Sequence, residues 1–274
     1  MNPGGVDGGL LAALADLVLP RTCAGCAVPG PVLCRRCAAL LTRPQLAQPR
    51  RFPSGFPPTV AAGPYAGPVR PAVNAFKERG RAELARPLGT ALALAVAAVL
   101  SGTADGSAAG RPVLLVPVPS GRAALRVRGR DHVRELTGRA VAELRAAGVP
   151  AATARLLRRA GRARDSAGLS AAQRRANLAG TFVLAPRLPA VPGDAVLVLV
   201  DDVVTTGATL TEASAALGAT RPEADTPVLA AVIAATPRRD PAPLPPEFRA
   251  RVLSPYGTGR SDLVDRLSRP ISGD

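Results

Sequence analysis

An α/β fold, with a largely parallel sheet covered by helices and a small metal-binding module ahead of it, is predicted for this chain. Three observations lead there. Apolar runs of strand length, at 113–118, 196–200 and 228–234, alternate with segments of helical spacing at 133–147 and 210–217. Such alternation implies right-handed crossovers between parallel strands buried on both faces. Hydrophobic residues make up 47% of the chain but aromatics only 3%, so the core must be Ala, Val and Leu, which suits helices packed on a sheet. All four cysteines fall in one short stretch before the alternating region.

The 274 residues allow one good-sized core plus an appendage. Residues 1–45 read as a short helix at 10–18 followed by the cysteine module. Residues 44–58, rich in Pro, Arg and Gln without apolar period, read as a linker. The main domain spans 59–236. It opens with a short strand at 59–62, a helix at 69–76 ending near the turn 77–80, a long apolar helix at 83–100 and a flexible loop at 101–110. After the strand at 113–118 and the helix at 133–147 come a second strand at 152–157 and a short helix at 171–179. The buried strand 196–200, a helix at 210–217 and a strand at 228–234 complete it. Residues 237–274 form a Pro-rich, polar tail to which no function is assigned.

The formal charge of +15 favours anionic partners through long-range attraction. Lys77 is the only lysine among 35 basic residues; the rest are arginines scattered among Ala, Gly and Pro, which lowers the weight of bulk charge and makes Lys77 stand out. The start lacks basic residues, and Asp7 and Asp16 flank or interrupt the apolar run 10–19, against a cleaved signal peptide. The longest apolar run, 91–100, is too short to cross a bilayer. A soluble, cytoplasmic chain without membrane insertion is expected.

That compartment disfavours disulfides. Cys23 and Cys26, then Cys34 and Cys37, form two Cys-x-x-Cys pairs across a short Pro-Gly loop. Redox chemistry needs one pair, whereas two pairs match tetrahedral structural zinc (Zn²⁺). The metal would fold a segment with almost no core of its own.

The run 196–200 is followed by Asp201, Asp202, Val203, Val204, Thr205, Thr206, Gly207, Ala208 and Thr209. Ligands of parallel sheets lie beyond the carboxyl ends of the strands. A helix start near Ala208 offers free amides and a positive dipole end to a phosphate. The threonines add hydroxyls, and Gly207 permits a tight turn. Two acids beside a phosphate cradle would repel that phosphate, so they must meet another part of the ligand, and vicinal hydroxyls of a pentose fit. The bland alternative, an acid pair capping a helix, needs one acid and not the whole run.

This segment closely resembles the phosphoribosyl pyrophosphate (PRPP) signature of type I phosphoribosyltransferases. The resemblance implies that fold, a 5-phosphate on the turn 205–209, Asp201 and Asp202 on the ribose hydroxyls, and magnesium (Mg²⁺) bridging ligand oxygens. The pyrophosphate then needs a second cradle. The strand 113–118 ends in Pro119, Ser120, Gly121 and Arg122, and a Ser-Gly turn with an arginine fork suits it. Arg126, Arg128 and Arg130 follow, either as a solvated basic face or as polyphosphate contacts; Arg128 and Lys77 join the candidate PRPP set. His132, the only histidine, is expected near a helix start and given no catalytic role. The polar segment 162–177 reads equally as a lid over PRPP or as a plain surface loop followed by a helix.

The order of cysteine knuckle, Lys-x-Arg-Gly turn at 77–80, Val-Pro-Val-Pro strand end at 116–119, Arg-Gly segment and PRPP turn resembles the ComF family, phosphoribosyltransferase-like proteins linked to competence for DNA uptake. Members often carry Arg-Gly-Phe-Asn-Gln where this chain has residues 128–132, and a Gln where Ser166 stands. The resemblance implies transfer of ribose 5-phosphate to an unknown acceptor with release of pyrophosphate. The alternative is a non-catalytic accessory binding single-stranded DNA or the uptake machinery, against which the shortage of base-stacking aromatics counts.

Overall fold

The computed structural model describes residues 22–49, 53–102, 110–160, 180–219 and 228–237. The expected helix at 10–18, the segment 162–177 with the helix at 171–179, and the tail beyond 237 lie outside the described residues.

The described chain is mixed α/β. Its six-stranded sheet has the order β1 (Gln45–Leu46), β2 (Thr59–Pro64), β8 (Leu229–Ala235), β7 (Val196–Val204), β3 (Val113–Pro117) and β4 (Ala151–Thr153). All pairings are parallel except β1 with β2. One face carries α2 (Val69–Lys77), α3 (Ala85–Ser101) and α5 (His132–Ala146); the other carries α6 (Ala208–Gly218) and a small antiparallel pair, β5 (Leu157–Arg159) with β6 (Phe182–Leu184). Alternation along β7 explains the two layers: Val196, Val198 and Val200 enter the first core, and Leu197 and Leu199 the second. The chain ahead of β1 contributes one helical turn, α1 (Arg35–Ala39), and the segment after β3 contributes α4 (Arg122–Arg128), none of whose residues is buried.

Three expectations need correction. The stretch 44–58 is not a bare linker: β1 pairs with β2, Ala47 is fully buried and Phe56 is 8% exposed. Its few apolar residues carry no period, yet Ala47 and Phe56 enter the second core and Leu46 packs against it. The strand expected at 152–157 is two short strands in different sheets, β4 and β5, because the chain leaves β3 after three paired residues. The long apolar helix is joined to the preceding 3₁₀ turn, and the resulting 20-residue stretch Ala82–Ser101 is long and apolar enough to cross a membrane by length and composition. It is a core helix here, with most of its apolar stretch buried among the other elements.

Candidate functional site

Strand β7 runs farther than expected, and this places the acids. It pairs with β3 only as far as Val200, while pairing with β8 continues through Asp201 and Val203 to Val204. Asp201 and Asp202 therefore occupy an overhang where β7 outlasts one neighbour. They sit inside the strand, not after it.

The two carboxylates have different surroundings. Asp202 is 4% exposed. Its Oδ2 meets Lys77 Nζ at 2.7 Å and His132 Nε2 at 2.9 Å, and its Oδ1 accepts the Val203 amide at 2.7 Å. Burial alone would raise its pKa, but the His132 bond and the charge of Lys77 outweigh it and hold the carboxyl well below the usual carboxylate range. Lys77, at the end of α2, is raised in turn by Asp202 against the opposing effect of burial. Asp201 is partly exposed and accepts the Asp202 amide through Oδ1 at 2.8 Å. Burial, then the charge of Asp202, pushes it up to about 8. One acid is thus locked as an anion, and its neighbour is poised to hold a proton at neutral pH.

His132 is the functional residue that sequence reasoning missed. Asp131 caps α5 by accepting the Arg134 amide at 3.3 Å, so His132 opens the helix, 3% exposed. Its ring packs edge-on against Phe76 of α2, with centroids 6.4 Å apart. Its Nδ1 is buried with no hydrogen-bond partner among the described residues, so the tautomer with hydrogen on Nε2, donating to Asp202, leaves no donor stranded. The available signal was its position one residue after a capping aspartate, where a first-turn side chain points back across the sheet end.

Among the described residues, no acceptor meets the amides of Thr205, Thr206 or Gly207. Gly207 sits at φ +79°, ahead of α6, and a Cβ there would lie 2.8 Å from the Phe56 ring. Thr205 and Thr206 are exposed, and Ala208 and Thr209 partly so. Val203 and Val204 belong to the strand: the Val203 amide serves Asp202, and the Val204 carbonyl accepts from Thr236 at 2.9 Å with its side chain buried.

On the neighbouring strand β3, the turn at Ser120 and Gly121 likewise has amides without acceptors among the described residues. Gly121 has Arg159 of β5 against it, with Nη1 3.1 Å from where a Cβ would stand. Arg159 lies near enough to Asp201 for that charge to offset part of the lowering that burial causes. Arg122 starts α4 and is exposed. Arg128 is differently placed: its fork is closed on Glu78 by bonds of 2.9 and 2.8 Å. It ties α4 to the turn after Lys77. Arg130 lies over the Phe76 ring at 4.1 Å and donates to the Phe76 carbonyl.

The four cysteines form a second site. One ligand atom from each of Cys23, Cys26, Cys34 and Cys37 lies within 4.8 Å of all the others, and Cys26 and Cys34 Sγ are 3.7 Å apart. Zn–S bonds of about 2.3 Å in a tetrahedron require sulfurs about 3.8 Å apart. The cluster can hold a metal ion such as zinc. Burial would raise the Cys23 thiol, but amide hydrogen bonds from Cys34, Cys26 and Gly25 bring it down to about 6, toward the thiolate a metal needs. Cys37 is pushed up by burial and by the neighbouring thiols, Cys23 foremost among the charges. Gly25 abuts both Cys37 and the Pro68 carbonyl ahead of α2, so the knuckle docks on the element that carries Lys77.

Comparison of the chain with protein-family models and with curated proteins returned no match.

Proposed function

We propose that this protein binds PRPP with magnesium and transfers ribose 5-phosphate to an acceptor, releasing pyrophosphate, as a protein of the ComF type within the type I phosphoribosyltransferase fold. The observation that carries the reading is the pair of amide-rich turns at the carboxyl ends of adjacent parallel strands, with an acid between them. Thr205, Thr206 and Gly207 follow β7, Ser120 and Gly121 follow the neighbouring β3, and Asp201 stands where β7 outlasts β3.

In this reading the 5-phosphate takes the amides and hydroxyls of 205–209, and the pyrophosphate takes the Ser120–Gly121 turn with Arg122 and Arg159. Asp201, the acid with an oxygen left open, meets the ribose diol. Asp202 stays with Lys77 and His132 and keeps the overhang in place, because both of its oxygens are already used. The hard oxygens of the ligand and of Asp201, which would give up its retained proton as the metal binds, suit magnesium, which would neutralise charge on the departing pyrophosphate. The chain's own share is positioning and preorganised charge at the leaving group.

Calorimetric titration with PRPP and magnesium tests this. Wild type is expected to bind, and Asp201→Asn to lose about tenfold to a hundredfold in affinity, the worth of one or two charge-assisted hydrogen bonds. No binding by wild type ends the reading.

A further inference from the structure

Beyond the Ser120 turn lies a cleft of about 260 Å³ that the pentose reading uses only at its inner edge. Arg122, Arg134, Arg155, Arg158 and Arg159 all line it, against a single acid, Asp131. That acid is already engaged: its Oδ1 accepts the Arg134 amide and the Ser120 hydroxyl. Among the described residues none of the five guanidinium groups is paired with a carboxylate. Arg159 Nε is buried with no hydrogen-bond partner there. Like charges gathered in one concavity repel, and an unsatisfied buried donor costs more. Both costs are relieved by a multivalent anion.

We propose that this cleft binds a linear polyphosphate chain, reaching from the Ser120–Gly121 turn and Arg159 out to Arg155 and Arg158. Two features select that ligand. Planar guanidinium forks match phosphate oxygens in pairs, and five of them exceed what one orthophosphate can use. The volume is below the roughly 300–1,000 Å³ of pockets for drug-sized ligands, and the rest of the lining is prolyl, aliphatic or Ser120, with no aromatic ring to stack a base. The site therefore takes consecutive phosphates and leaves whatever they are attached to outside. The inner end is shared with the pyrophosphate of the reading above, so a polyphosphate competes with PRPP. The outer end, Arg155 and Arg158, is its own.

The experiment is calorimetry on the full chain in magnesium-free buffer with orthophosphate, pyrophosphate, inorganic triphosphate and ATP. Affinity is expected to rise with phosphate number, triphosphate binding at least about tenfold tighter than orthophosphate, which corresponds to about 1.4 kcal/mol. The double substitution Arg155→Ala with Arg158→Ala, at exposed positions, is expected to lower triphosphate affinity by about tenfold, and the Lys pair to restore part of it by keeping charge without the fork. ATP is expected to match inorganic triphosphate; an ATP affinity at least tenfold higher would mean that the nucleoside is gripped as well, and overturns the assignment to a bare phosphate chain. Triphosphate no tighter than orthophosphate, or unchanged by the alanine pair, overturns the inference while leaving PRPP binding as its own question. Triphosphate binding that survives Asp201→Asn, in a protein that does not bind PRPP, overturns the pentose reading and keeps the cleft.

Discussion

His132 Nε2 and Asp202 Oδ2 are 2.9 Å apart, in a contact where both side chains are almost fully buried. The bond ties the start of α5 to the overhanging end of β7, and Lys77 closes on the same oxygen from α2. Three elements thus converge on one carboxylate. Their agreement sets where Asp201 and the following turn stand.

Removing the imidazole is expected to loosen this junction. His132→Ala should lower stability by about 1–3 kcal/mol, the usual cost of a lost buried partner and the space left behind, and weaken PRPP binding. His132→Gln, which still offers a donor, should recover much of both. Thermal unfolding with parallel titrations separates the cases; equal behaviour of the two variants would remove the hydrogen bond from the account.

The two acids should fail differently when neutralised. Asp202→Asn strips Lys77 and His132 of their shared partner and is expected to destabilise by about 1–3 kcal/mol, discounted because the Lys77 side chain is 28% exposed. Asp201→Asn should cost little stability and mainly affinity. Denaturant unfolding of both variants checks the split.

The pH dependence has a defined sign. Asp201 is raised from 3.8 to about 8, so between about pH 4 and 8 the folded protein keeps a proton that the unfolded chain has released, and stability falls as pH rises through that window. Asp202, held low, works the other way: its contribution is present at neutral pH and disappears as pH drops below its ordinary value of 3.8. The melting temperature of wild type should therefore decline from pH 6 to pH 9, and Asp201→Asn should flatten that decline. An unchanged slope would assign it to another group.

Gly207→Ala is expected to be damaging from two causes at once. The residue needs φ +79°, and its new methyl would meet the Phe56 ring. A loss of about 1–3 kcal/mol and of phosphate affinity is expected. Pairing it with Phe56→Ala should relieve the collision but not the backbone strain, so rescue would be partial.

The metal prediction concerns stoichiometry and coupling. One zinc per chain should be released on thiol titration with a mercurial, and Cys23→Ser with Cys26→Ser should abolish it. Because the knuckle abuts Pro68, at the start of the helix that ends in Lys77, these variants should also weaken PRPP binding by loosening the Lys77–Asp202 junction. Unaltered PRPP affinity in a zinc-free protein would uncouple the two sites.

The sequence made the α/β alternation, the cysteine cluster and the Thr-Thr-Gly turn legible, because each rests on local pattern: strand-length apolar runs, metal-ligand spacing, and Thr-Thr-Gly before a helix. It did not show that β7 outruns β3, since that depends on where the neighbouring strand stops. Nor did it show His132 beneath Asp202, a contact across 70 positions. Arg128 illustrates the same limit: an arginine beside a presumed phosphate turn reads as a ligand contact, yet Glu78 occupies its fork. The segment 44–58 looked like a linker because its two useful apolar positions are isolated in sequence.

The cysteine knuckle also shares the interior of the sheet domain. Ala24 and Leu41 belong to the same buried cluster as α3 and β8, with Val32 and Leu33 packed against it. An oxidant that joins these thiols, with loss of any ion they hold, would disturb one side of that interior, so damage at the knuckle would reach the sheet without direct attack at the far end of the strands.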